Sequence, residues 1–212
     1  MEDAVWLASD DVLSMLHVLQ GGSGRKFRLF ATACAWDEFD AGAIPEWECP
    51  SALLPEYRDS IIAAERYADG GPSPSLPRTN HWVSLPVCDV ITHEDVAYSA
   101  LGFSADVGLW LRPRADVVPE IIRRYRTHPA NSIRDIFGNP FRPVTFDPEW
   151  RNEHTVGLAA KMYEDREFAA MPILADALEE TGCDNADILS HCREPGVHVR
   201  GCWVVDLVLG KE

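Results

Sequence analysis

Lysine is nearly missing from this sequence. Only three of its 19 basic residues are Lys, and together they face 34 acidic residues for a formal charge of −15. That balance argues against a general nucleic-acid binder, whose phosphate contacts need a positive surface. It argues equally against an anionic membrane surface, and it suits a soluble protein or one with a basic protein partner. No run approaches the roughly 20 apolar residues of a membrane span. The opening MEDAVWLASDD is acidic and lacks the basic region and apolar stretch of an export signal. A cytoplasmic protein with reduced thiols is therefore expected. G-x-S-x-G, the P-loop, G-x-G-x-x-G and H-E-x-x-H are all missing, which leans the reading away from an enzyme. No fixed-period repeat is visible, so a solenoid is not expected.

Apolar residues make up 46 % of the chain, enough for a real core and too many for wholesale disorder. Ser9 or Asp10 can cap a helix carrying Val12, Leu13, Leu16 and Leu19. Gly21 to Gly24 then forms a joint. Arg25 to Phe39 reads as a helix with Phe27, Leu29, Phe30, Ala33 and Cys34 on one broad face. A further helix starts near Pro55 and runs to about Asp69, where Gly70-Gly71 ends it. Gly70 to Pro86 is rich in Pro, Ser and Gly and reads as a long surface loop, with Trp82 as an anchor. Helices are expected from Thr92, over Pro119 to Thr127, and over Ser132 to Phe137 with Gly138 as its stop.

Asp147-Pro148-Glu149 begins a helical turn that carries Trp150. Helices over Thr155 to Glu164, Pro172 to Thr181 and Asn185 to Cys192 follow. The fold class is thus all-α: a compact bundle or short array of about nine or ten short helices with one long Pro/Gly/Ser-rich loop. The chain reads as a single helical domain, 1–212, with a subdivision into 1–70, a 71–91 loop and 92–212.

The densest chemistry lies in Cys183 to Leu209, where Cys183, His191, Cys192, His198 and Cys202 are all metal-ligand types. Their order is C-x8-C-x5-H-x3-C, with His191 beside Cys192, and the chain has no C-x2-C pair. Only His198 and Cys202 have the i, i+4 spacing that puts two ligands on one helix face. Two readings stand side by side: a zinc site, or no cofactor, with Cys192 and Cys202 as small buried hydrophobes. Asp184 and Asp187 resemble a capping box, and Pro195-Gly196 marks a turn. His198 to Leu209 is apolar nearly all round and suits a buried helix or strand, with Gly210 as its stop. Asp206 inside that run needs partners, for which Arg200 and His198 are nearest in sequence.

From Arg112 to Arg142 the chain carries Arg112, Arg114, Arg123, Arg124, Arg126, Arg134 and Arg142 against Asp116, Glu120 and Asp135. Arginine forks suit phosphate or carboxylate, so this segment is a candidate site for an anion or an acidic partner. The competing reading pairs these arginines with the chain's own carboxylates. His93-Glu94-Asp95 and His154 sit where acidic residues favour helix starts anyway.

Five strings carry a resemblance: RKFRLFATACAW, AAERYADG, IRDIFGNPFRPVTFDPEW, MPILADALEETGCDNADILSHCR and HVRGCWVVDLVLGKE. The chain resembles a family of planctomycete proteins of the Gemmata type, over most of its second half and parts of the first. The family pattern has a Cys- and Arg-bearing continuation after RLFA. Here Ala35-Trp36-Asp37-Glu38 follows, which weakens any cysteine-based role for that helix. The resemblance implies relatives and no particular chemistry. The leading expectation is a non-enzymatic accessory or regulatory protein that binds another protein. The alternatives are a metal-binding domain or metal-dependent enzyme using the C-terminal cluster, and an anion-binding module using Arg112–Arg142.

Overall fold

A computed structural model describes residues 1–40, 42, 51, 54–72 and 129–211. Every regular element among the described residues is helical, and none is a strand, as the periodicity predicts. The expected helices from Thr92 and over 119–127 and most of the 71–91 loop, including Trp82, lie outside the described residues, as do His93-Glu94-Asp95. No described helix is long and apolar enough to cross a membrane. Contacts divide the chain into two compact units, one of Met1 and residues 9–133, the other of residues 2–8 and 134–212.

In the first unit, α2 (Val12–Val18) is capped by Asp11, whose carboxylate accepts from Ser14 N at 3.2 Å. Ser9 and Asp10 stand too early for that role, because the cap must directly precede the first helical residue. Ser9 instead accepts from Asp11 N at 3.1 Å. α3 (Gly24–Asp40) and α4 (Leu54–Ala68) pack against each other in antiparallel fashion. Arg25 near the start of α3 pairs with Asp69 just past α4 at 2.9 Å, and Phe39 stacks on Tyr57 at the opposite ends. The predicted α3 face is buried: Phe27, Leu29, Phe30, Ala33 and Cys34 are all removed from water. Tyr57, Ile61 and Ala64 at helical spacing meet Ala35 from across the seam. The Trp36 indole N–H donates to Glu65 at 2.8 Å inside that seam.

The second unit begins with α1 (Asp3–Ala8), which buries Trp6. Asn139 and Arg142 both donate to the Asp3 carboxylate, at 2.6 and 2.8 Å, and Arg134 Nε donates to the Trp6 carbonyl at 3.1 Å. Two members of the arginine segment therefore serve the protein itself. Arg112, Arg114, Arg123, Arg124 and Arg126 lie outside the described residues. α5 (129–137), of which 134–137 belong to this unit, ends at Gly138, whose φ of +68° closes the helix and whose Cβ position faces the Trp203 ring at 3.3 Å. Asp147 caps the short turn Pro148–Trp150.

α6 (Glu153–Asp165) starts at a reciprocal Asn152–Thr155 capping box, earlier than the expected Thr155. α7 (Met171–Glu180) and α8 (Ala186–Arg193) follow, with Gly182 at φ +92° between them. Asn185, not Asp184, caps α8, accepting from Asp187 N and Ile188 N at 3.1 Å. α9 (Trp203–Leu209) ends at Gly210 in the left-handed region. Ala159, Met162 and Tyr163 of α6 and Leu174, Ala175 and Leu178 of α7 share one core with Ile188 and Cys192 of α8 and Val204, Val205 and Val208 of α9. Each large aliphatic side chain buried there contributes about 1.5–3 kcal/mol.

The 198–209 stretch is neither one helix nor a strand. Residues 194–202 have no regular structure, and Gly201 at φ +96° precedes a Cys202 cap. His198 and Cys202 are therefore not two residues on one helix face, although their spacing allows it. The positive φ at Gly201 turns the chain before α9 can begin.

Candidate metal centre

Four side chains from three segments converge in the second unit: Asp135 from α5, His191 from α8, and His198 and Cys202 from the irregular segment 194–202. One ligand atom from each lies within 4.8 Å of all the others. Asp135 Oδ1 stands 2.8 Å from His198 Nδ1 and 3.1 Å from His191 Nε2. Cys202 Sγ is 3.2 Å from His191 Nε2 and 4.0 Å from His198 Nδ1. The second carboxylate oxygen of Asp135 accepts from the Val199 amide at 2.8 Å. The two imidazole rings meet nearly at right angles, 4.9 Å between centroids. Trp203 lies beside His191 and Phe168 beside His198.

The local sequence explains each placement. Asp135 precedes the Gly138 stop by three residues, so it sits in the last turn of α5 and faces inward with Ile136. The Asn185 cap fixes the rotation of α8. Adjacent residues on a helix are about 100° apart, so His191 faces the cluster while Cys192 enters the core. Gly201 then swings Cys202 back towards His191.

Burial is steep across the group. Asp135 is 2 % and Cys202 0 % exposed, while the side chains of His198 and His191 are 10 % and 20 % exposed. Burial pushes the Asp135 carboxyl up, but the hydrogen bonds to His191 and His198 outweigh it and hold the group below the usual carboxylate range. Burial, with the Asp135 charge adding to it, drives the Cys202 thiol well above its ordinary value. Cys192 is pushed up to about 12, chiefly by burial, and Cys183 is raised for the same reason.

This chemistry does not suit nucleophilic catalysis. A reactive cysteine needs access and a lowered pKa, and Cys202 has neither. In a nucleophile–base–orienter relay the two partners grip opposite ring nitrogens of the histidine. Here Nε2 of His191 faces both Cys202 and Asp135. Metal ligation is different, because it asks each donor to turn one atom to a common point. Of the five ligand candidates in the sequence, His191, His198 and Cys202 are brought together. Cys183 and Cys192 lie in the apolar core. Asp135 is the donor that sequence spacing misses.

Arg142 pairs with Asp3 and stands 3.9 Å from Asp187, and Arg193 pairs with Asp176 and Glu179 on the surface. His198 bonds Asp135, and the Arg200 guanidinium lies over the Tyr163 ring. No family model, curated protein or solved structure matches the chain.

Proposed function

We propose that the second unit binds a transition-metal ion through Asp135, His191, His198 and Cys202, and that the ion ties α5, α8 and the 194–202 segment together. One observation carries this reading: mixed N, O and S donors, drawn from three segments, gather within 4.8 Å in a mostly buried place. An imidazole pair, a thiol and a carboxylate are the ligand types that select zinc and its neighbours. His191, the most exposed of the four, offers the ion its path in. On this reading the ion holds the unit together, in keeping with a non-enzymatic accessory protein that works beside another protein.

The test is thermal unfolding of the full chain with zinc and with a chelator. Zinc should raise the midpoint of the wild type and leave Cys202→Ser unmoved, because binding to the folded state alone stabilises it by mass action. Identical midpoints with zinc and with chelator in the wild type would remove the proposal.

A further inference from the structure

We infer that Asp135 gives the ion a single oxygen and that the four side chains alone complete its shell, so the centre is a closed tetrahedral zinc site that serves architecture and leaves no position for substrate. The inference rests on the metal reading above and deepens it.

The argument begins with the carboxylate. An aspartate can give a metal one oxygen or two. At Asp135 the Val199 amide N–H already holds Oδ2 at 2.8 Å, and only Oδ1 turns towards the imidazoles. Val199 directly follows His198, so one stretch of backbone both supplies a ligand and fixes the other ligand's orientation. Outer hydrogen bonds of this kind orient the ligands around a metal. With Asp135 limited to one oxygen, the group offers four donors.

The spacing agrees with four-coordination. Ligands at zinc bond lengths, about 2.0–2.1 Å for N or O and about 2.3 Å for S, stand about 3.3–3.6 Å apart at the corners of a tetrahedron. Four of the six separations, 2.8, 3.1, 3.2 and 4.0 Å, straddle that range, and the other two are no more than 4.8 Å. Six-coordinate oxygen-seeking cations are a poor match. Calcium asks for six to eight oxygens and magnesium keeps several waters, while this group gives one oxygen. Asp135 and Cys202 are buried, and Trp203 and Phe168 stand beside the two rings. Catalytic zinc keeps three protein ligands and an open fourth position, whereas structural zinc is closed by four. On binding, the Cys202 thiol loses its proton to solvent and the thiolate takes its place at the ion.

Cobalt(II), added to the metal-free full chain, reports the coordination. The expected result is the intense visible absorption of a tetrahedral ion with a sulfur charge-transfer band. That band should be lost in Cys202→Ser and kept in Cys192→Ser, a buried thiol outside the ligand group. X-ray absorption on the zinc-loaded wild type needs no variant, and should find one sulfur at about 2.3 Å with three lighter atoms at about 2.0–2.1 Å. A pale six-coordinate cobalt spectrum, or a zinc shell of light atoms without sulfur, would overturn the closed centre while leaving metal binding intact. Failure to bind either ion would overturn the metal reading as well.

Discussion

Asp135 brings a carboxylate to a place where 2 % of its surface meets solvent, and three donors hold it there. Removing one partner from a buried charged group strands the others. Asp135→Ala should therefore lower stability by about 3–5 kcal/mol in urea unfolding, and a loss within experimental error would contradict the network. Asp176→Ala, which breaks an exposed pair with Arg193, should change nothing measurable. The pH dependence follows from the lowered carboxyl. The unfolded chain takes up that proton more readily than the folded one. The contribution of Asp135 is thus complete above about pH 4, the ordinary carboxylate value, and is lost as pH falls through the depressed folded value. Acid titration should show a limb of falling stability that Asp135→Asn flattens; parallel limbs in both proteins would count against it. Three of the four donors were legible in sequence because they lie within twelve positions of one another. Asp135 was not, because it lies 63 positions from His198 and stands among arginines that offer it a simpler partner.

At the scale of elements, starts and stops were the most readable features. Gly138, Gly182 and Gly210 each take a positive φ where the apolar pattern ends. Asp147 caps its turn as read. Caps shifted by one residue in two places, Asp11 for Asp10 and Asn185 for Asp184, because neighbouring Asp, Asn and Ser compete for the same role. The last helix departs from the sequence pattern for a different reason. An unbroken apolar run carries no sign of where the backbone turns, and a glycine inside it is ambiguous. Gly201 proves to be the turn, at φ +96°. Gly201→Ala should cost about 1–2 kcal/mol through backbone strain and weaken zinc binding by displacing Cys202. Calorimetry showing full affinity in a destabilised variant would separate the turn from the centre. Asn152→Ala, which removes the α6 capping box, should cost about 1 kcal/mol and leave zinc affinity alone.

At the scale of the whole molecule, the all-α class was legible from composition and period, whereas the grouping of helices into units was not. Nothing local in residues 3–8 says that they belong with 134–212. That membership comes from Asp3 and Trp6 meeting Asn139, Arg142 and Arg134 across more than a hundred positions. Each unit has its own core, so metal binding should be felt unequally. Hydrogen exchange with and without zinc should show protection changing in 134–139 and 186–209, and staying constant over α3 and α4. Uniform change along the chain would mean that the ion acts elsewhere. The most direct measurement is elemental analysis of the purified protein beside Cys202→Ser. Near-stoichiometric zinc in the wild type, lost in the variant, is the predicted result. A well-folded wild type without zinc, which takes up none when it is supplied, would contradict the centre and leave Asp135, His191, His198 and Cys202 as a buried hydrogen-bonded cluster.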